Sequence, residues 1–152
     1  MDFQIFTGNP AELPADTLVV TINDNGELSA SAEKIDSASG GAIQARISAK
    51  DVTGSAGSSL TLYSLANTQA NRTVIAGSGK ENLNAVDANK IASTIGKAIA
   101  GKTGTAAVDV SALATDSRPQ AWWAEQIVLA VHAAQYKFIA TLPGKEPSPA
   151  LD

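Results

Sequence analysis

Apolar positions along the chain follow two periods, one of strands and one of helices. Thr17-Leu18-Val19-Val20-Thr21-Ile22 is a short run without polar interruption, stopped by Asn23-Asp24-Asn25-Gly26, whose residues tolerate positive φ. Leu60-Thr61-Leu62-Tyr63-Ser64-Leu65 alternates as a strand does. Thr73-Val74-Ile75-Ala76, stopped by Gly77-Ser78-Gly79, and Ala107-Val108-Asp109-Val110 are two more runs, and Phe3-Gln4-Ile5-Phe6 is expected as a first strand. The longer period predicts three helices. One over 32–47 carries Ile35, Ala38, Ala42, Ile43 and Ile47 on one stripe, weakened by Gly40-Gly41. A second, capped by Asn84 with Asp87 in its first turn, buries Ala88, Ile91, Ala92, Ile95 and Ile99. The third begins near Ser117-Arg118-Pro119, with Ser117 as cap and Pro119 in the first turn, and buries Trp123, Ile127, Val131, Ala134 and Phe138.

Strands and helices in this order predict a three-layer α/β/α domain, a mixed and mostly parallel sheet with helices on both faces. Leu142-Pro143-Gly144-Lys145-Glu146-Pro147-Ser148-Pro149 reads as a linker. The expected division is a domain over 1–140 and a linker over 141–152 toward a further domain.

Composition narrows the function classes. The 152 residues are 44% hydrophobic, enough for a core and against disorder, and Cys is absent, which excludes disulfide scaffolds and Cys-based zinc sites. A net charge of −4 lacks the global basic footprint of a nucleic-acid or anionic-membrane binder. No apolar run approaches the ~20 residues that span a bilayer, and Met1-Asp2-Phe3-Gln4 lacks the basic and apolar regions of a signal peptide. A cytoplasmic protein is expected.

Motif matches need their structural context. Residues Gly96 to Thr103 satisfy G-x-x-x-x-G-K-[ST], but they lie at the end of a predicted helix and before a strand, where carbonyls would face a phosphate; Gly101 is better placed as the residue that ends the helix. Ser31-Ala32-Glu33-Lys34 and Lys102-Thr103-Gly104 imitate two of three serine β-lactamase elements, and the third is missing. His132 is the single histidine, with no nucleophile elbow to serve, and is expected as a structural or surface residue on the flank of the buried stripe; Trp122-Trp123 are expected one outward and one inward. No His or carboxylate spacing matches a metal site, so neither catalytic nor metal residues are expected here. Gly77-Ser78-Gly79-Lys80 is the one anion-site candidate, because it follows a strand and precedes a helix; Asn82 replaces the third glycine of a dinucleotide fingerprint, and a tight glycine turn explains the pattern as well.

Five segments together resemble the N-terminal domain of the leucyl (cytosol) aminopeptidase family. They are Thr17-Leu18-Val19-Val20 leading to Asp24-Asn25-Gly26-Glu27-Leu28; Ile35-Asp36 with Ser39-Gly40-Gly41-Ala42; Asp51-Val52-Thr53-Gly54-Ser55-Ala56-Gly57; Val74-Ile75-Ala76-Gly77-Ser78-Gly79-Lys80; and Tyr136-Lys137-Phe138. The resemblance runs from about Leu18 to Phe138. It implies a macro-domain-like fold and a non-catalytic domain with a structural, regulatory or assembly role. It also implies a parent protein that removes N-terminal residues from peptides, with two divalent metals such as Zn or Mn held in a C-terminal catalytic domain. The parent is implied to be a homohexamer, and this piece alone a monomer or weak dimer, with a residual apolar patch at Tyr136, Phe138, Ile139 and Leu142.

Two other function classes stay open on sequence. One is a macro-domain-like binder of ADP-ribose or another nucleotide through Gly77, Gly79 and Lys80. The other is a DNA-binding accessory module using Lys90 and Lys97 together with Lys34, Arg46 and Lys50, against which the overall acidity counts.

Overall fold

The computed structural model describes residues 2–102 and 104–136. Its sheet is built from β1 (Thr17–Asn23), β2 (Ser59–Tyr63), β3 (Arg72–Gly79) and β4 (Ala106–Val108), in the order β2-β3-β1-β4. β1 runs parallel to both β3 and β4, whereas β2 is antiparallel to β3. The helices are α1 (Ala30–Ala38), α2 (Ala42–Ser48), α3 (Ala85–Ile99) and α4 (Gln120–Gln135). The expected three-layer arrangement with a mixed, mostly parallel sheet is what the chain forms.

Burial on both faces explains the near-continuous apolar run of β1. Val19, joined by Val74 and Ala76 of β3, packs against Ala88, Ile91, Ile95 and Ile99 of α3 and Trp123, Ile127 and Val131 of α4. Leu18, Val20, Ile22 and Ile75 face the other way, onto Ala32 and Ile35 of α1 and Ile43 of α2. The α3 stripe is the one its periodicity predicts, and the Asn84 side chain accepts from the Asp87 amide at 2.8 Å, satisfying one of the four unpaired N–H groups of a helix start. Where α3 crosses α4, a Cβ on Gly96 would lie 2.7 Å from Ala130, so the two backbones approach closely through the missing side chain.

Several elements differ from expectation for identifiable reasons. Phe3-Gln4-Ile5-Phe6 is not a strand. A strand exists only through the ladder it joins; this segment joins none among the described residues, and Ile5 is 95% exposed. The helix predicted over 32–47 is two helices. Gly40 and Gly41 both take φ in the left-handed region, 72° and 86°, and two such residues in succession turn the chain out of one axis and into the next. The Asp36 carboxylate then caps α2, accepting from the Ile43 and Gln44 amides at 2.8 and 2.9 Å. β2 stops at Tyr63 rather than Leu65 because Ser64 has φ 49°.

β3 runs three residues further than the Thr73–Ala76 core, and β4 ends at Val108, two residues short of Val110. Beyond β4, Asp109 Oδ1 accepts from the Ser111 amide at 3.0 Å and starts a 3-10 turn. Pro119 is the N-cap of α4 rather than a first-turn residue, and Ser117 does not cap it; a turn in which Thr115 and Arg118 exchange backbone hydrogen bonds precedes the helix. α4 ends at Gln135, short of Phe138. Tyr136 is 73% exposed; the other residues of the expected patch, Phe138, Ile139 and Leu142, and the 141–152 linker lie outside the described residues.

Candidate functional site

Open α/β sheets take ligands at the carboxyl ends of parallel strands, where the chain leaves adjacent strands toward opposite faces. β1 and β3 are that pair here: β1 leads to α1 on one face and β3 to α3 on the other. The crevice between their ends is filled by the chain itself, with the loop over 53–58. Its Gly54 sits so tightly on the Asn23–Asp24 backbone that a Cβ would overlap the Asn23 carbonyl, and a Cβ on Gly77 would overlap the Ser55 carbonyl and Ser58 Oγ. The Gly77 amide donates to Ser58 O at 2.9 Å and the Gly79 amide to Gly54 O at 2.8 Å. Ser58 Oγ donates to Ser55 O at 2.7 Å and also to Thr53 O, while Ser78 Oγ reaches back to Ile22 O at 3.0 Å.

The candidate Gly77, Gly79 and Lys80 are therefore placed as follows. Both glycines are buried within β3, Gly77 because nothing larger fits under the loop and Gly79 because its φ is 72°. Their amides are bonded to the loop. Lys80 projects past them, exposed. The Gly96–Thr103 match behaves as its context predicts: Gly96 is interior to α3, Ala100 is its C-cap, and Gly101 follows with φ 72°, the left-handed residue that ends a helix.

His132 lies exposed on α4, Trp123 is fully buried, and Trp122 is half-buried with its ring edge-on to Trp123 at 5.0 Å and the Arg118 guanidinium 5.6 Å above it. The basic residues weighed for nucleic acid are not brought together. Lys90 and Lys97 are on α3, whereas Lys34 and Arg46 are on α1 and α2, across the sheet. Arg46 and Lys90 are also neutralised locally, by Asp51 at 3.2 Å and Asp87 at 3.5 Å. Among the described residues no three His, Asp or Glu side chains converge where a metal ion would be held.

The opposite rim, where β1 and β3 begin, assembles a polar cluster that sequence reasoning missed. Asp16 Oδ1 accepts from Asn71 Nδ2 at 2.8 Å; Oδ2 accepts from the Thr105 amide at 2.9 Å and its hydroxyl at 3.3 Å. Arg72 Nε donates to Thr17 Oγ1 at 2.6 Å. These residues are scattered along the chain, and no local spacing marks them; only the register that sets Thr17 beside Arg72 does. The Thr105 amide, with help from Asn71 and from the positive charge of Arg72, holds the Asp16 carboxyl below its ordinary range. A lowered folded-state pKa makes the contribution of Asp16 complete above the unfolded value near 3.8 and progressively lost as pH falls through the folded one. Asp16→Asn should accordingly flatten the fall in Tm below about pH 4, measured by thermal melts across the acid range. An unchanged acid slope would show that Asp16 is not differentially ionised.

Comparison with known proteins accords with this architecture. Residues 19–141 match the family model described as the N-terminal domain of the cytosol aminopeptidase family. A cytosol aminopeptidase of Pseudomonas aeruginosa is 36% identical over 120 residues, 78% of this chain and 24% of the relative. A probable cytosol aminopeptidase of Dechloromonas aromatica is 32% identical over 142 residues, 91% of this chain and 28% of the relative. Among solved structures, a tomato leucine aminopeptidase mutant superposes with a TM-score of 0.69 at 17% identity, covering 92% of this chain and 29% of that one, a likeness of fold. The chain thus spans about a quarter of the length of the relatives it matches. With four-fifths of its residues inside the family model and the α/β/α layering to match, the chain belongs to the cytosol aminopeptidase family, as its N-terminal domain.

Proposed function

We propose that this domain has a structural and assembly role in a cytoplasmic two-metal aminopeptidase that removes N-terminal residues from peptides. The observation that carries this reading is the filled crevice: the 53–58 loop, packed on Asn23, Gly77 and Gly79, occupies the place where a sheet of this topology would take a nucleotide. A site closed by backbone hydrogen bonds suits a rigid scaffold better than a binder of ADP-ribose. In this reading two divalent ions, such as Zn or Mn, are held by a catalytic domain outside this chain, where they would activate the attacking water. No chemical step is placed on these residues. The assembled protein is a homohexamer in this reading, and the domain alone a monomer or a dissociating dimer.

The test is an assay of the purified chain. With Mn²⁺, Zn²⁺ or Mg²⁺ added it should release no leucine from a chromogenic substrate, and titration with millimolar ADP-ribose should give no heat. Sedimentation at micromolar concentration should report a monomer or dissociating dimer. Peptidase activity that follows the chain through purification and is lost on chelation would overturn the division of labour, and a stable hexamer would overturn the account of assembly.

A further inference from the structure

The cluster at the starting rim of β1 and β3 borders a cavity of about 320 Å³, lined by Asp16, Tyr63, Asn71, Arg72, Gly101 and Lys102. The strand register puts Tyr63, Arg72 and Thr17 in one row across β2, β3 and β1, and the Arg72 side chain lies on the face that carries α3. Gly101 and Lys102, which follow α3, line the same open pocket. We propose that this cavity binds a small zwitterion, a free α-amino acid, with its carboxylate on Arg72 and Lys102 and its ammonium group on Asp16.

The two poles are already built. Arg72 spends Nε on Thr17, which fixes the plane of the guanidinium and leaves its terminal nitrogens for a ligand; among the described residues neither Arg72 nor Lys102 has a carboxylate within 4 Å. A guanidinium held in this way presents the fork that matches a carboxylate with two parallel hydrogen bonds. The negative pole is Asp16, whose oxygens accept three hydrogen bonds from the protein out of about four that a carboxylate takes, and which the Thr105 amide keeps ionised. An anion without a positive group would meet Asp16; a cation without a carboxylate would meet Arg72 and Lys102. A zwitterion satisfies each pole. The volume, at the small end of the ~300–1,000 Å³ typical of ligand pockets, suits one amino acid rather than a peptide.

This inference does not rest on the proposed scaffold role, and its test needs no peptidase activity. The 152-residue chain would be titrated with L-leucine, N-acetyl-L-leucine and L-leucine amide, observed by ¹⁵N amide shifts. Leucine should give saturable shifts at Asn71 and Gly101, and the two blocked compounds, each missing one charge, should bind about tenfold or more weakly, the loss expected for a charge-assisted hydrogen bond. Lys102→Ala, at an exposed position, should weaken leucine about threefold to tenfold without changing the melt, and Arg72→Lys should weaken it at least as much because a point charge replaces the fork. Absence of saturation by leucine, equal binding of N-acetyl-leucine, shifts located elsewhere, or indifference to Lys102→Ala would each overturn the proposal.

Discussion

Replacing Trp123 with alanine should lower stability by about 3–5 kcal/mol, the range for removing a large buried aromatic side chain. Trp123 is the largest fully buried side chain and sits between β1, α3 and the 3-10 turn at Ser111–Leu113, in contact with the cluster of Val19, Ile91, Ile95 and Leu113. Its neighbours come from elements held by their own ladders and caps, so they collapse only partly into the space left behind. At this chain length the change corresponds to a Tm lower by on the order of 10 °C, which thermal or urea unfolding would measure. Trp123→Phe should cost much less. The indole N–H is buried without a hydrogen-bond partner, so phenylalanine removes an unsatisfied donor while keeping most of the ring volume. Equal losses for the two variants would mean that the indole nitrogen is engaged and that volume is not the governing quantity.

Gly54→Ala is expected to be comparably damaging, at about 3 kcal/mol or more, through overlap rather than a void. The added methyl meets the carbonyl carbon and oxygen of Asn23 and the amide of Asp24, all backbone. Neither side can withdraw easily. Asn23 is the last residue of β1, its amide donates to Glu27 O at 3.0 Å, and its side-chain oxygen accepts from the Asn25 and Glu27 amides at 3.0 Å each. Gly54 O in turn holds the Gly79 amide. Moving the loop therefore breaks the bonds that close the crevice, and hydrogen exchange at Gly77 and Gly79 should speed up together with the loss of stability. By contrast Gly57→Ala, in the same loop, meets only ordinary contacts with Lys90 and pays chiefly for its φ of 90°. If Gly54→Ala cost no more than Gly57→Ala, the close approach of loop and strand would be refuted.

How much of this was legible in advance depended on the range of the interaction concerned. α3 was readable almost to the residue, since its cap, its stripe and the glycine that ends it all lie within one stretch of chain and act through bonds of three or four residues' reach. The core faces of β1 and β3 were readable because burial on both sides of a parallel strand demands an unbroken apolar run. Family membership was readable too, as five short segments in a fixed order, each weak alone.

The segments misjudged were those whose local pattern is compatible with more than one partner. Phe3-Gln4-Ile5-Phe6 has the composition of a strand but no ladder among the described residues, and pairing is a property of two segments. At Gly77 and Gly79 the need for glycine was legible as a tight turn, with an anion site as the alternative; that the need arises from the sheet register and the returning loop, which make both residues points of backbone contact, was not.

The sequence by itself thus determined α3 and the core strands β1 and β3, the two-faced burial that forces a layered α/β/α domain, and the family. Only the tertiary structure decided that the crevice at one rim of the sheet is closed and that charges drawn from Asp16, Arg72 and Lys102 meet around a cavity at the other. The reason is physical: hydrogen bonds and burial within a helix or strand act between near neighbours and leave a period in the chain, whereas contacts between residues tens of positions apart are set by strand register and loop return, which leave none.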